Sequence, residues 1–113
     1  MTVVGRVLTV NVAVPGSGTG IDKRPIDDAV AVRPPGPMHN GLGSGLVGDT
    51  ICNRTFHGGD DQAVYAYARE DLDHWQASLG RDLLNGMFGE NLTTSGLDVT
   101  NARIGEQWAV GTS

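Results

Sequence analysis

The sequence predicts a mainly β domain with one helical excursion, and three observations lead there. Seventeen of the 113 residues are glycine, about twice the ordinary usage of ~7%, and they keep no period of three. Val4, Arg6, Leu8, Val10, Val12 and Val14 fall on one face at period two, the spacing of a strand. After Tyr67 the apolar spacing lengthens: Leu72, Trp75, Leu79 and Leu83 lie three or four apart, the spacing of a helix. The length leaves room for one small domain.

The first strand runs along the Val4–Val14 face and ends at the glycine-rich turn "PGSGTG". Ile26 to Arg33 can supply a second short strand, which the prolines at 34, 35 and 37 close. "MHNGLGSG" reads as an exposed loop and "LVGDTI" as a short strand. Ala63 to Tyr67, "AVYAY", reads as another strand. The helical stripe begins near Arg69, where Glu70, Asp71 and Asp73 suit the positive end of a helix. Gly80 permits a break into two short helices, with Gly86 ending the second, so the excursion spans about 69–86. A last strand is predicted from Arg103 to Val110. Short strands without enough partners leave open edges, so the isolated chain is expected to be marginal or prone to self-association.

Thirteen acids against eight bases give a formal net charge of −5. The overall field therefore steers the chain toward neither a nucleic acid nor an anionic membrane. Seven of the eight bases are arginine, a side chain suited to two-pronged recognition of oxyanions. Cys52 is the only cysteine, which excludes an internal disulfide and a cysteine-based zinc cluster. No window approaches eighteen apolar residues and no basic leader opens the chain, so a cytoplasmic location is expected. The sequons at Asn53 and Asn91 carry no meaning without export.

Several motifs invite chemistry. Gly43-x-Gly45-x-x-Gly48 has the spacing of a dinucleotide fingerprint, yet prolines precede it and no helix follows; it reads as a turn-rich loop. "GSGTGIDK" resembles an anion nest, in which glycines let backbone donors converge, with Lys23 and Arg24 just beyond; the alternative is a solvated turn. In "HGGDD", His57 can contact a polar ligand, and Gly58 and Gly59 permit close backbone approach, or equally a sharp turn. No two histidines lie four apart, so no zinc-protease pattern exists and no metal ligands are assigned. Asp60 and Asp61 are adjacent and point oppositely on extended backbone, so one braces backbone donors and the other faces water. Glu90, between Gly89 and Asn91, is read as a structural brace or as a group orienting His57. Cys52 reads as a buried thiol and the Leu72/Trp75/Leu79 stripe as a packing face.

"TGIDKRPI", "GLVGDTI", "HGGDDQAVYAY", "FGENLTTSGLDV" and "IGEQWAVG", in that order, resemble the first half to two-thirds of a MOSC domain of the YiiM-like type, the domain named for the carboxy-terminal part of molybdenum cofactor sulfurases. The likeness runs from about Gly5 to Gly111. It implies a mainly β barrel related to the barrel domain of pyruvate kinase, incomplete here. It also implies an anionic small-molecule guest, the molybdenum cofactor (molybdopterin). Reduction of N-hydroxylated compounds and sulfur transfer are the family's reaction classes. A pyridoxal phosphate association also travels with the family, with no Schiff-base motif behind it in this chain.

Carried over residue by residue, the resemblance marks Thr19, Gly20 and Lys23 as the early anion-side motif. His57, Gly58, Gly59 and Asp61 form the central motif, and Glu90 and Asn91 belong to the third. At Gln62 relatives place a basic residue. The family's cysteine lies in a proline- and arginine-containing segment beyond Gly111, and Cys52 does not occupy its position. Residues 1–113 are thus expected to be a partial MOSC domain ending before that segment, either a fragment or a truncated variant, with no nucleophile assigned. The competing class is a non-catalytic structural or interaction module that pairs through exposed strand edges.

Overall fold

The computed structural model describes residues 3–14, 22–51 and 57–111. Strand β1 is Arg6–Ala13, β2 is Lys23–Ile26, β3 is Ala66–Ala68 and β4 is Leu92–Ser95. One α-helix, α1, spans Arg69–Leu79, and a single 3-10 turn covers Asp60–Gln62. The strands form one open sheet in the order β2-β1-β4-β3. Strand β1 runs antiparallel to both its neighbours, and β3 runs parallel to β4. The mainly β class with one helical excursion holds. No helix among the described residues is long and apolar enough to cross a membrane.

Strand β1 is where the pattern misleads. Its even-numbered positions make one strongly apolar side in the sequence, yet Val4 is 83% and Leu8 44% exposed, while Asn11 is fully buried. A bulge explains part of this. Val7 pairs with Thr94 and Thr9 with Thr93, so Leu8 is an extra residue and the alternation restarts after it. The face bearing Thr9, Asn11 and Ala13 lies opposite Thr93 and Lys23, and their polar side chains claim it.

Five other expectations are corrected. The second strand begins at Lys23 and ends at Ile26; residues beyond it contribute only a Val32–Leu46 bridge, which is also all that remains of a strand in "LVGDTI". Pro25 has no N–H to offer along the sheet's outer edge, and the Lys23 N–H donates to the Gly86 carbonyl at 3.1 Å. "AVYAY" yields strand only from Ala66, because the 3-10 turn occupies the approach to it. The break allowed at Gly80 is present, since the helix stops at Leu79, Gly80 is left-handed and its N–H donates to the Gln76 carbonyl at 3.0 Å, but no second helix follows over 81–86. Arg103–Val110 forms no strand: the Glu106 N–H closes a turn onto the Arg103 carbonyl, and Ile104 is fully exposed.

Helix α1 is fixed more by polar staples than by its stripe. Leu72 is fully buried, but Trp75 is 43% and Leu79 57% exposed, so only part of the expected packing face is covered. Glu70 accepts the Gly96 N–H at 2.8 Å and Asp71 accepts the Thr100 hydroxyl at 3.0 Å. Arg69 donates to Asp73, to the Leu83 carbonyl, to Asn85 and to Gln76. Strand β4 was not anticipated, since "LTTS" looks like loop. Thr93 and Thr94 are nevertheless fully buried at the sheet's centre.

Candidate functional site

Asp49 is the node of the interior. Its side chain is 1% exposed, and that of its partner Lys23 is 5% exposed. A carboxylate taken out of water needs nearly every lone pair occupied, and here each is used. Oδ1 accepts the Lys23 ammonium at 2.8 Å and the Ala13 N–H at 2.8 Å. Oδ2 accepts Lys23 at 3.0 Å, the Ser44 hydroxyl at 2.7 Å and the Asn91 amide at 2.8 Å. Burial by itself would raise the Asp49 carboxyl; the bonds from Lys23, Ser44, Asn91 and Ala13 outweigh it and hold the group below its ordinary value of 3.8. The third Lys23 donor reaches the Thr50 carbonyl at 3.4 Å. The ammonium is thereby engaged by its own chain.

A second buried cluster continues from this one along the sheet. The Thr9 hydroxyl donates to Asn11 Oδ1 at 2.9 Å, and Asn11 Nδ2 donates to Thr93 Oγ1 at 2.9 Å. The Thr93 hydroxyl in turn donates to Glu90 Oε2 at 2.9 Å. Glu90 is fully buried and also accepts the Phe88 N–H at 3.1 Å, the brace expected of it. Asn91 links both clusters to β3, because its Oδ1 accepts the Tyr65 N–H at 3.1 Å. Tyr65 and Tyr67, then Tyr67 and Phe88, make edge-to-face ring pairs. Burial, with Tyr67 and the Glu90 charge adding to it, pushes the Tyr65 hydroxyl above its ordinary value of 10.0, so the phenol stays neutral near pH 7.

The His57 turn packs against the loop that carries Asp49. Gly59 has φ 84° and ψ 178°, a region that side chains avoid, and Gly58 has φ 91°. The Gly59 N–H donates to the Gly43 carbonyl at 3.0 Å, and a Cβ on Gly59 would lie 2.8 Å from the Met38 backbone. The close approach these glycines permit is from their own chain. Asp60 accepts the Gly36 N–H at 2.9 Å and Asp61 is exposed, the division expected of adjacent carboxylates. His57 is exposed at the mouth of this turn.

The anticipated residues are therefore joined in three steps. Lys23 and Asn91 meet on Asp49, and Glu90 follows Asn91 through the neighbouring cluster. The His57-Gly58-Gly59 turn sits on Gly43, whose neighbour Ser44 donates to Asp49. Thr19 and Gly20, with the glycine nest before Lys23, lie outside the described residues, as does Cys52. Asp49, Ser44, Asn11 and Thr93 were not foreseen. The available signals were slight: an asparagine inside "VNVAV", and the only acid in "GLVGDTI". Among the described residues two buried side-chain polar atoms have no hydrogen-bond partner, Arg33 Nε and Thr94 Oγ1. Among the described residues no group of three His, Cys, Asp or Glu could hold a metal ion.

A family model for the MOSC domain matches residues 53–113. An uncharacterized protein YflK of Bacillus subtilis is 39% identical over 88 residues, covering 78% of this chain and 36% of YflK. Protein YiiM of Escherichia coli is 38% identical over 68 residues, covering 55% of this chain and 29% of YiiM. In structure, the chain is similar to crystalline YiiM from Geobacillus stearothermophilus, with a TM-score of 0.55 and 27% identity over 83% of this chain and 40% of that one. The chain spans about a third of the length of these curated relatives.

Proposed function

The chain belongs to the MOSC domain family, and on that footing we propose that it forms part of the wall of a site for an anionic molybdenum cofactor. The observation that carries this reading is the convergence on Asp49. Three separated stretches, at Lys23, at His57–Gly59 and at Glu90–Asn91, are bound into one unit through the loop holding Gly43, Ser44 and Asp49. A rigid wall of this kind is what placing a large guest requires.

The residues divide into frame and contact. Lys23, Glu90 and Asn91 have their polar groups committed to the chain itself, so their part is to hold the wall. His57 is exposed and can donate to or accept from a guest. A guest with negative oxygens fits the adjoining loop, where a guanidinium N–H is buried without an acceptor. When bound, the cofactor would supply a redox-active metal together with that metal's own ligands. The described residues would bind and orient it. Reductase-like or sulfur-transfer chemistry on N-hydroxylated compounds belongs to the same proposal.

The test is retention of cofactor by this chain and by a version extended through the following segment of its gene, read as bound molybdenum and pterin after gel filtration. We expect retention by the extended version and a loss on His57→Ala with the fold intact. Equal, negligible retention by both versions would end the proposal. A second reading, an interaction module, is favoured by exposed apolar side chains such as Val4, Leu8 and Ile104. Strand-edge pairing is hindered at β2 by Pro25, which leaves the β3 edge and these side chains for self-association. Such a module would be indifferent to His57→Ala.

A further inference from the structure

We infer that, of the three cations the sequence offers to a guest's negative charge, Lys23, Arg24 and Arg33, it is Arg33 that binds the oxyanion in this domain. The inference rests on the reading of an anionic guest beside the His57 turn and names the group that meets it. Among the described residues the ion pairs are Lys23 with Asp49, Arg24 with Asp22 and Arg69 with Asp73. Lys23 has each of its three donors within reach of an acceptor. Arg69 is held by four acceptors. Arg6, Arg81 and Arg103 are exposed and hydrated. Arg33 alone among these arginines has an N–H buried with no acceptor. A donor left so costs about 1–3 kcal/mol, more on a charged group; the Nε is covered in this structure while the residue is only half-buried, so an acceptor would meet it as the side chain turns outward and would then remove that cost.

Its position is fixed by backbone. The Arg33 N–H donates to the Gly45 carbonyl at 2.8 Å, and the Val47 N–H donates to the Ala31 carbonyl at 2.9 Å, flanking the Val32–Leu46 bridge. Pro34 and Pro35 follow directly and restrict the chain. Three residues on, Gly36 both gives its N–H to Asp60 and accepts the Asp60 N–H at 2.9 Å, so Arg33 lies on the loop that cradles the His57 turn. A guanidinium presents Nε–H and Nη–H as a planar fork matched to two oxygens of a phosphate or carboxylate. No described carboxylate fills that role here.

Phosphate and carboxylate share this chemistry, so the experiment carries both. The Arg33 Nε–H resonance is followed by 15N-resolved NMR while inorganic phosphate, or acetate in a parallel series, is added at constant ionic strength. Phosphate should move the resonance saturably and slow its exchange with water; a response to acetate alone would make the guest a carboxylate and keep Arg33 as its ligand. In calorimetry, Arg33→Gln should weaken phosphate binding roughly tenfold to a hundredfold. Arg33→Lys, with charge but no fork, should fall between, and Arg81→Gln should bind as the parent does. An Nε–H unmoved by both anions, or unchanged phosphate binding in Arg33→Gln, overturns the inference. Cofactor retention without an Arg33 response would sink this inference and leave the cofactor-site reading; phosphate at Arg33 without cofactor retention would do the reverse.

Discussion

The joint around Asp49 and the exposed apolar side chains, Val4, Leu8 and Ile104 among them, invert the usual order of a small domain. The joint is polar, buried and satisfied: a carboxylate, an ammonium, a hydroxyl and an amide complete one another. These apolar side chains, by contrast, are left in water. Hydrophobic burial normally supplies most of the drive to fold, yet the buried side chains here include Asn11, Lys23, Glu90, Thr93 and Thr94. What specifies this chain is pairing of polar groups across distant stretches, while its apolar capacity remains partly unused.

The largest effect should come from breaking the joint. Asp49→Ala leaves the Lys23 ammonium buried without a counter-charge and removes the acceptor for Ser44, Asn91 and Ala13. Breaking one half of a buried pair costs about 3–5 kcal/mol, enough to abolish cooperative urea unfolding in a marginal chain. Replacing both partners with apolar residues, Lys23→Met with Asp49→Leu, should be milder than Asp49→Ala. If the double variant is the worse of the two, the joint's value lies in its links to Ser44 and Asn91 and not in the ion pair.

Next in size is Gly59→Ala. The backbone there stands at φ 84° and ψ 178°, which costs a side chain about 1–3 kcal/mol, and the added Cβ meets the Met38 backbone. Thermal unfolding should report the loss. An unchanged midpoint would mean that the His57 turn is not packed on its loop.

These two sites show what the sequence could and could not convey. The glycine pair, the brace by Asp60 and the helix start at Arg69 are local, and each was readable from neighbouring residues. The role of Asp49 is not local. Its partners lie at 13, 23, 44 and 91, and no spacing rule links them. Lys23 was read as a ligand contact because its counter-charge is distant in the chain. Strand β4 was missed because two threonines between turn signals resemble a loop until the sheet buries them. The face of β1 was misassigned because a bulge at Leu8 leaves no mark in an alternating string. The predicted last strand has β-forming residues, but a strand also needs a neighbour, and Arg103–Val110 has none in the described structure.

Acid should act on the joint more gently than substitution does. The folded state holds Asp49 below its ordinary 3.8, so its contribution is present above that value and fades as pH falls through the folded-state pKa. Stability measured by urea unfolding should therefore decline below about pH 4. Asp49→Asn should flatten that limb while lowering stability near pH 7. A limb of the same steepness in Asp49→Asn would place the acid sensitivity at another carboxylate.

The smallest expected change in stability tests the other half of the comparison. Val4→Lys with Ile104→Lys places charge on two of the most exposed apolar side chains. Surface changes away from packed groups usually move stability by no more than about 0.5 kcal/mol, so the melting midpoint of dilute protein should hardly move. Self-association should fall, because charges resist desolvation in an apolar contact. Sedimentation velocity over a range of concentrations separates the two effects. Fewer oligomers with an unchanged midpoint would show that this surface is free in the folded chain and available to a partner. A large fall in midpoint would show that Val4 or Ile104 already supports the fold, and the contrast between a finished polar joint and an unfinished apolar surface would not survive it.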